Sequence, residues 1–144
     1  MITQITPELF IGGAEDSIQA DNKIFDAVLC VAIDFDIKDG FKWRHKVGLL
    51  DGPGNSPMTF VAAVLLLYSL LKSGKRVLLH CQEGRSRSVM VAATTLAVAG
   101  VASFDDALRE IMTLRKVDNY RPALYDMAKV TLPLIKETVT KTYG

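Results

Sequence analysis

Apolar and polar positions alternate along the chain between strand-like and helix-like patterns. Short apolar runs predict four strands, at residues 9–11, 25–33, 43–49 and 76–80. The second run is apolar almost throughout, which is typical of a strand covered on both faces. The third alternates with a period of two, which also indicates a strand. Pro7 lies just before the first run and favours an edge position for that strand.

Helical patterns fill the segments between and after these strands. A weak helix is predicted at residues 16–23, and longer helices at 57–73, 88–99, 104–115 and 122–140. Ser56 and Pro57 form a typical helix start, with a capping residue before a proline in the first helical position. Pro133 lies inside the last helix and is expected to break or kink it near Leu132.

Strands that alternate with helices predict an α/β fold. We expect residues 1–144 to form a single domain, because 144 residues lie within the usual size of one domain. Its centre should be a mixed or mostly parallel sheet of about four to five strands, with helices on both faces. Sheets of this kind bind ligands at the carboxyl ends of their strands, so the loop after residue 80 is a candidate site.

Composition and charge narrow the functional classes. The net charge of +1 argues against a general nucleic-acid binder, which normally has a strongly basic face. The apolar runs at 61–71 and 89–101 are interrupted or shorter than the roughly 18 residues of a membrane span, and no basic leader opens the chain. Two cysteines do not make a disulfide framework. We therefore expect a cytoplasmic monomer without a membrane span.

The segment from Arg76 to Ser88 carries the candidate chemistry. Its strand ends in His80 and Cys81, a loop centred on Gly84 follows, and Arg87 stands where a helical pattern begins. The N–H groups of such a loop can turn inward together, and the helix end adds partial positive charge, so the loop should bind an anion such as phosphate. The same field favours the thiolate of Cys81 and lowers its pKa. Arg87 can hold two phosphoryl oxygens at once.

The string His80-Cys81, five residues, Arg87-Ser88 resembles the phosphate-binding loop of the cysteine-dependent protein tyrosine phosphatase superfamily, specifically its small dual-specificity branch. The resemblance covers roughly residues 9–132. It implies hydrolysis of phosphotyrosine, and also of phosphoserine and phosphothreonine, in phosphorylated proteins through a phosphocysteine intermediate, without metal or cofactor. Cys81 would be the nucleophile, and the substrate-binding residues would be Gln82, Glu83, Gly84, Arg85, Ser86 and Arg87.

The resemblance also implies roles for the two residues that flank the loop. Ser88 matches the hydroxyl that hydrogen-bonds the cysteine sulfur and helps it leave, a role compatible with capping the helix. His80 matches the residue whose hydrogen bonds orient the loop and lower the pKa of the thiol. On the sequence alone, a histidine that is simply packed in the core is the alternative.

The reaction needs a proton donor on a separate element that faces the loop. Asp51 is the candidate, because it ends the strand at 43–49 and lies 30 residues before Cys81, and similar phosphatases carry their general acid at about that distance. It would protonate the leaving oxygen and then activate water. Alternatively, Asp51 bonds only to amides of its own turn. If the strand prediction is wrong, its rivals are Asp34, Asp36 and Asp39.

The roles of three further residues stay open between two alternatives each, and one further segment is a candidate part of the site. Arg85 either favours a non-protein phosphate, such as a phosphoinositide, a phospholipid or an RNA 5′ end, or is a solvated loop tip. Cys30 either forms a disulfide with oxidised Cys81, as a strand cysteine does in some relatives, or is a small core residue. Arg115 either braces the loop from behind or lies on a helix surface. The turn at 118–121 is a candidate border of the pocket, as its equivalent is in similar enzymes.

Two other classes of function compete with the phosphatase. A non-catalytic phospho-binding module would not require Cys81, Asp51 and Arg87 together. A sulfur transferase of the rhodanese kind also uses a loop cysteine, but it would not need Asp51 or the residues that flank the loop. The chain also lacks the extra residues that deepen the pocket of tyrosine-only phosphatases, so a shallow pocket is expected.

Overall fold

The structure is a computed structural model that describes residues 1–36 and 43–143. Its strands are β1 (Thr3–Gln4), β2 (Leu9–Gly12), β3 (Ala27–Ala32), β4 (Arg44–Leu49) and β5 (Val77–His80). Its helices are α1 (Ala14–Ile18), α2 (Pro57–Lys72), α3 (Arg87–Val98), α4 (Phe104–Arg115) and α5 (Pro122–Tyr143). The four predicted strands are therefore confirmed to within two residues at each end.

The described strands form one mixed sheet in the order β1-β2-β5-β3-β4. β1 is antiparallel to β2, and the other neighbours are parallel. This confirms the predicted α/β class and the mixed sheet. β5 lies at the centre, with Gly12 of β2 and Cys30 of β3 both in register with His80. The loop after His80 therefore begins at the carboxyl edge of the sheet, between two neighbouring strand ends.

Helices cover both faces of the sheet. α2 and α3 pack directly on one face, and α4 and α5 pack against those two helices. The short α1 lies beside β2 and β5, and Ala20, just after it, packs on a smaller core formed by Phe25, Val28 and Leu78. Every residue of β3 is buried, as the apolar run predicted for a strand covered on both faces.

The edge position predicted for β2 is wrong. β1 pairs with β2 on one side while β5 pairs with it on the other. Pro7 lies in the connection between β1 and β2, outside both strands, so its missing N–H costs no hydrogen bond of the sheet.

Pro133 was predicted to break or kink the last helix, and the break does not occur, since α5 runs from Pro122 to Tyr143 without ending. Pro133 and Lys129, whose carbonyl loses its usual helical partner, are both exposed, so water can satisfy that carbonyl. Thr131 and Ile135 are buried on either side of the proline and hold the helix against the core. Tertiary packing therefore outweighs the local preference.

Within residues 1–36 and 43–143, none of the helices combines the length and the apolar character that crossing a membrane requires.

Candidate active site

The phosphate loop, residues 81–86, connects β5 to α3 and packs closely on the end of β2. The Gln82 carbonyl accepts a hydrogen bond of 2.8 Å from the Ala14 amide. Gly84 has φ +69°, and a Cβ atom there would lie 2.6 Å from the Gly12 carbonyl oxygen. Both the backbone angle and the close approach require glycine at this position. The loop therefore packs against the end of β2, and only glycine at position 84 permits that close approach.

Cys81 lies at the base of this loop with only 3% of its surface exposed. Its Sγ atom is 3.3 Å from Ser88 Oγ and accepts a hydrogen bond of 3.3 Å from the Gly84 amide. Burial by itself raises the pKa of Cys81, but hydrogen bonds from Ser88 and Gly84, together with the charge of Arg87, bring that pKa below its ordinary value. The site therefore favours the thiolate, to which the Ser88 hydroxyl can donate.

His80 is fully buried beside the loop. Its Nδ1 donates to the Cys81 carbonyl at 3.0 Å, since a carbonyl oxygen can only accept. Nε2 has no hydrogen-bond partner among the described residues, and the Phe35 ring packs edge-on at 5.2 Å. Burial lowers the pKa of His80, so the ring is neutral near pH 7. His80 thus fixes the peptide group that follows Cys81 and does not line the cavity described below.

Arg87 begins α3 and is 3% exposed. Its Nη1 donates to Asp34 Oδ1 and, at 3.0 Å, to the Leu49 carbonyl, which fixes the plane of the guanidinium. Neither Nε nor Nη2 makes a hydrogen bond within residues 1–36 and 43–143, and Nε is buried. Burial lowers the pKa of Arg87, but the hydrogen bond to Asp34 and the nearby negative charges raise it above its ordinary value. One edge of this buried cation is therefore available to an anion.

Asp51 lies two residues beyond β4 and faces Arg87. Its Oδ1 is 4.0 Å from Arg87 Nε, and its Oδ2 is 3.5 Å from Arg121 Nε. The sequence left open that Asp51 bonds only to amides of its own turn. In the structure that kind of contact belongs to Asn55, whose side-chain oxygen accepts a hydrogen bond of 2.8 Å from the Leu50 amide. Within the described part of the chain, no amide of that turn bonds to the Asp51 carboxylate. Asp51 is therefore available to the site.

Asp34, a rival only if the strand prediction failed, nevertheless reaches the site. It follows β3 and is 55% exposed, and its carboxylate pairs with Arg87. The hydrogen bond from Arg87 lowers the pKa of Asp34, so this carboxylate stays ionised. Asp36 makes no ion pair among the described residues, and Asp39 lies outside them.

A cavity of about 290 Å³ joins most of these residues. It is lined by Asp34, Asp51, Cys81, Gln82, Glu83, Arg85, Ser86, Arg87 and Arg121. A second cavity of about 360 Å³ shares five of those residues and reaches Asn119, Tyr120 and Pro122, so the predicted turn does border the site. Gly84 and Ser88 stand behind the first cavity and contact the sulfur. The first cavity therefore brings the cysteine nucleophile candidate, two aspartates and three arginines to one small space.

Cys30 lies on β3 and is completely buried. Its Sγ donates weakly to the Ala32 carbonyl at 3.5 Å, and both cysteines of the chain are free thiols in this structure. Burial raises the pKa of Cys30, which keeps the thiol protonated and poorly reactive. The proposed disulfide with Cys81 stays a prediction.

The sequence placed Arg121 only within a turn that could border the pocket, and it left open whether Arg115 braces the loop or lies on a helix surface. Arg115 donates to the Gly84 and Glu83 carbonyls, both at 3.0 Å. A signal was present, because Arg115 follows the buried Ile111 by four residues and therefore lies on the inner stripe of α4. No comparable pattern marks Arg121, whose amide donates to Ser86 Oγ at 3.0 Å and whose side chain pairs with Asp51.

No family model and no curated protein matches this sequence, but solved structures resemble its fold. Human DUSP28 superposes with a TM-score of 0.76 at 18% identity, over 96% of this chain and 95% of that one. DUSP15 gives 0.76 at 16% identity, over 99% and 97%. The human tyrosine phosphatase-like serine/threonine/tyrosine-interacting protein gives 0.74 at 17% identity, over 92% and 96%. The chain therefore has the fold of the small dual-specificity phosphatases, the branch that its loop sequence resembles.

Proposed function

We propose that this protein is a metal-independent phosphomonoester hydrolase that works through a phosphocysteine intermediate on Cys81. One observation carries the proposal: Cys81 and Arg87, whose buried Nε makes no hydrogen bond among the described residues, line the same small cavity as Asp51. A buried guanidinium N–H without a hydrogen bond is costly unless an anion accepts one from it. A phosphoryl group has the charge and the oxygen spacing for that guanidinium.

In the first step the Cys81 thiolate attacks phosphorus from the floor of the cavity. A sulfur–phosphorus bond forms while the bond to the leaving oxygen breaks, and the leaving oxygen takes a proton from Asp51. Arg87 and the loop amides hold the equatorial oxygens, whose charge they neutralise in the transition state. These donors are already in place, because Leu49 and Asp34 fix the guanidinium in the free protein.

In the second step water hydrolyses the phosphocysteine. Asp51, now a carboxylate, accepts a proton from the water as its oxygen bonds to phosphorus. The sulfur–phosphorus bond breaks, and the sulfur departs as a thiolate with the electron pair. Ser88 Oγ and the Gly84 amide, each 3.3 Å from Sγ, stabilise that thiolate and so promote its departure.

Two carboxylates face Arg87, and their surroundings assign them different roles. Asp34 is hydrogen-bonded to Arg87, which lowers its pKa and makes it a poor proton donor near neutral pH. Asp51 makes longer contacts, an ion pair of 4.0 Å with Arg87 and a hydrogen bond of 3.5 Å from Arg121 Nε, and it lies at the rim, where a leaving oxygen would emerge. The proton donor of the proposal is therefore Asp51.

The proposed substrates are phosphotyrosine and also phosphoserine and phosphothreonine in proteins. The rim supports this breadth, since Asp51 is 38% exposed and Arg85 is an exposed residue, so a short phosphorylated side chain can reach the loop from solvent. The expectation of a cytoplasmic monomer stays a prediction, and light scattering would test its oligomeric part.

A non-protein phosphate is the second candidate substrate, and Arg85 is the observation that favours it. Arg85 lines both cavities, yet it makes no ion pair within residues 1–36 and 43–143, whereas Arg87 and Arg121 are paired with aspartates. A free cation beside the phosphate cavity would attract a second phosphate. Comparing turnover of phosphotyrosine peptides with that of inositol phosphates separates the two candidates.

Hydrolysis of aryl phosphates in the presence of EDTA tests the reaction. The wild type should be fully active, and Cys81→Ser should be inactive. Asp51→Asn should lose activity by a factor that shrinks as the leaving group becomes a weaker base, because such a group needs no proton. Asp36→Asn is the matched control, an exposed aspartate outside the cavity, and should match the wild type.

Acid quenching followed by mass spectrometry should find phosphate on Cys81. A metal requirement, or activity that survives Cys81→Ser, would overturn the proposal. Binding of phosphate without any turnover would instead support the non-catalytic binding module.

A further inference from the structure

We propose that Arg115 is a positioning residue that turns the N–H groups of the phosphate loop toward Cys81. Arg115 ends α4, 31 positions from Gly84, and does not line the phosphate cavity. An effect of Arg115 on catalysis rests on the proposed function, but the effect of Arg115 on the Cys81 sulfur can be measured without turnover.

Two consecutive peptide groups of the loop are held by this one guanidinium. Nε donates to the Gly84 carbonyl and Nη2 to the Glu83 carbonyl, each at 3.0 Å. The Glu83 carbonyl belongs to the same peptide group as the Gly84 N–H. In a trans peptide the carbonyl and the N–H point in opposite directions. Because Arg115 binds this carbonyl on the outer side of the loop, the Gly84 N–H points to the inner side of the loop.

The sulfur lies where that N–H points, since the Gly84 amide donates to Cys81 Sγ at 3.3 Å. The same reasoning applies to the next peptide group. The Gly84 carbonyl is bound to Arg115, so the N–H of Arg85 must point away from Arg115. Inward N–H groups are what make such a loop an anion site.

Arg115 is itself anchored on its far side, so it can resist movement of the loop. Nη1 donates to the Ile11 carbonyl and to Thr3 Oγ1, both at 3.1 Å, and to the Met1 carbonyl. Arg115 belongs to no salt bridge among the described residues, so all its hydrogen bonds go to neutral oxygens. Arginine suits this position because its planar fork binds several oxygens at fixed angles, which the ammonium of lysine cannot do.

The test measures the sulfur directly, through the pH dependence of inactivation by iodoacetamide, which reacts with the thiolate. Arg115→Met and Arg115→Lys should each move the midpoint of this curve to higher pH. A shift of one pH unit lowers the rate of alkylation below the midpoint about tenfold. The lysine variant keeps the charge but loses the fork, so it should recover less than half of the shift.

Arg109→Met is the matched control, because Arg109 lies on the same helix, is exposed and, within the described part of the chain, forms its ion pair with Asp106 at 2.9 Å and no other. Thr3→Val removes one contact of Nη1 and leaves both loop carbonyls bound. Both variants should keep the wild-type midpoint, and circular dichroism should show that every variant is folded.

An unchanged midpoint in a folded Arg115→Lys protein would overturn the inference, as would an equal shift in Arg109→Met. Should Arg115→Met fail to fold, Arg115→Lys decides alone. Should the shift appear while no variant, nor the wild type, hydrolyses phosphate esters, the positioning role stands and the proposed function falls. Hydrolysis without any shift would remove the positioning role and leave the proposed function intact.

Discussion

Replacing Gly84 with alanine should damage both the fold and the site, and two separate costs can be worked out from the structure. Gly84 has φ +69°, a left-handed conformation that costs an alanine about 1–2 kcal/mol. The added Cβ would also lie 2.6 Å from the oxygen and 3.0 Å from the carbon of the Gly12 carbonyl group, which cannot move without β2. Overpacking of this kind costs roughly 1–3 kcal/mol.

The sum predicts that Gly84→Ala lowers the free energy of unfolding by roughly 2–5 kcal/mol, measured by urea denaturation. Gly100→Ala separates the two costs. Gly100 has a similar φ of +75°, but a Cβ there meets nothing within 4 Å. That control should lose only about 1–2 kcal/mol, the conformational part.

Only Gly84→Ala should also slow the alkylation of Cys81, because the Gly84 amide donates to the sulfur. Equal destabilisation by the two variants would refute the steric argument. A Gly84→Ala protein with wild-type alkylation would refute the link between the loop conformation and the thiolate.

Two further predictions concern charges at the site. Burial lowers the pKa of His80 in the folded protein. The contribution of neutral His80 to stability is therefore complete above the ordinary imidazole pKa and is lost as the pH falls toward the lower pKa of the folded state. In that window the unfolded chain binds a proton at His80 and the folded chain does not. The free energy of unfolding, measured by urea denaturation, should therefore fall by up to about 1.4 kcal/mol for each unit that the pH decreases in that window. His80→Asn should reduce this pH dependence, and an equal pH dependence in the variant would show that His80 is not its source. Asp34→Asn should tighten competitive inhibition by inorganic phosphate severalfold, on the order of 1 kcal/mol, because Leu49 still orients Arg87 while a repelling carboxylate is gone. Weaker inhibition would mean that Asp34 is needed to orient Arg87.

The sequence predicted the elements that depend on neighbouring residues. Pro57 illustrates this, since α2 begins at that residue, as the Ser56-Pro57 pair predicted. The strands at 25–33 and 76–80 were recognised because each carries its own apolar run. Predictions failed where a distant element decided the outcome. Pro133 stays within α5 because buried residues before and after it pack the helix against the core. β2 is internal because β1 pairs with its outer edge.

The residues of the candidate site also differ in whether local sequence or distant elements bring them together. Cys81, Gly84, Arg87 and Ser88 lie within eight consecutive positions, so the strand, the tight loop and the helix start that follow from their sequence bring them together by local geometry alone. Asp51 could be proposed from the strand that precedes it, because parallel strands present their carboxyl ends at one edge.

The partners of these residues depend on the tertiary structure. Asp34 meets Arg87 across 53 positions, and Arg121 meets Asp51 across 70. These contacts exist because β3 lies beside β5, because β4 lies beside β3, and because the α4–α5 turn folds over the loop. A local pattern records which residues can form a strand, a loop or a helix, since those depend on spacing. Which carboxylate reaches which guanidinium depends on the order of strands in the sheet and on helix packing, and no short stretch of the chain encodes either.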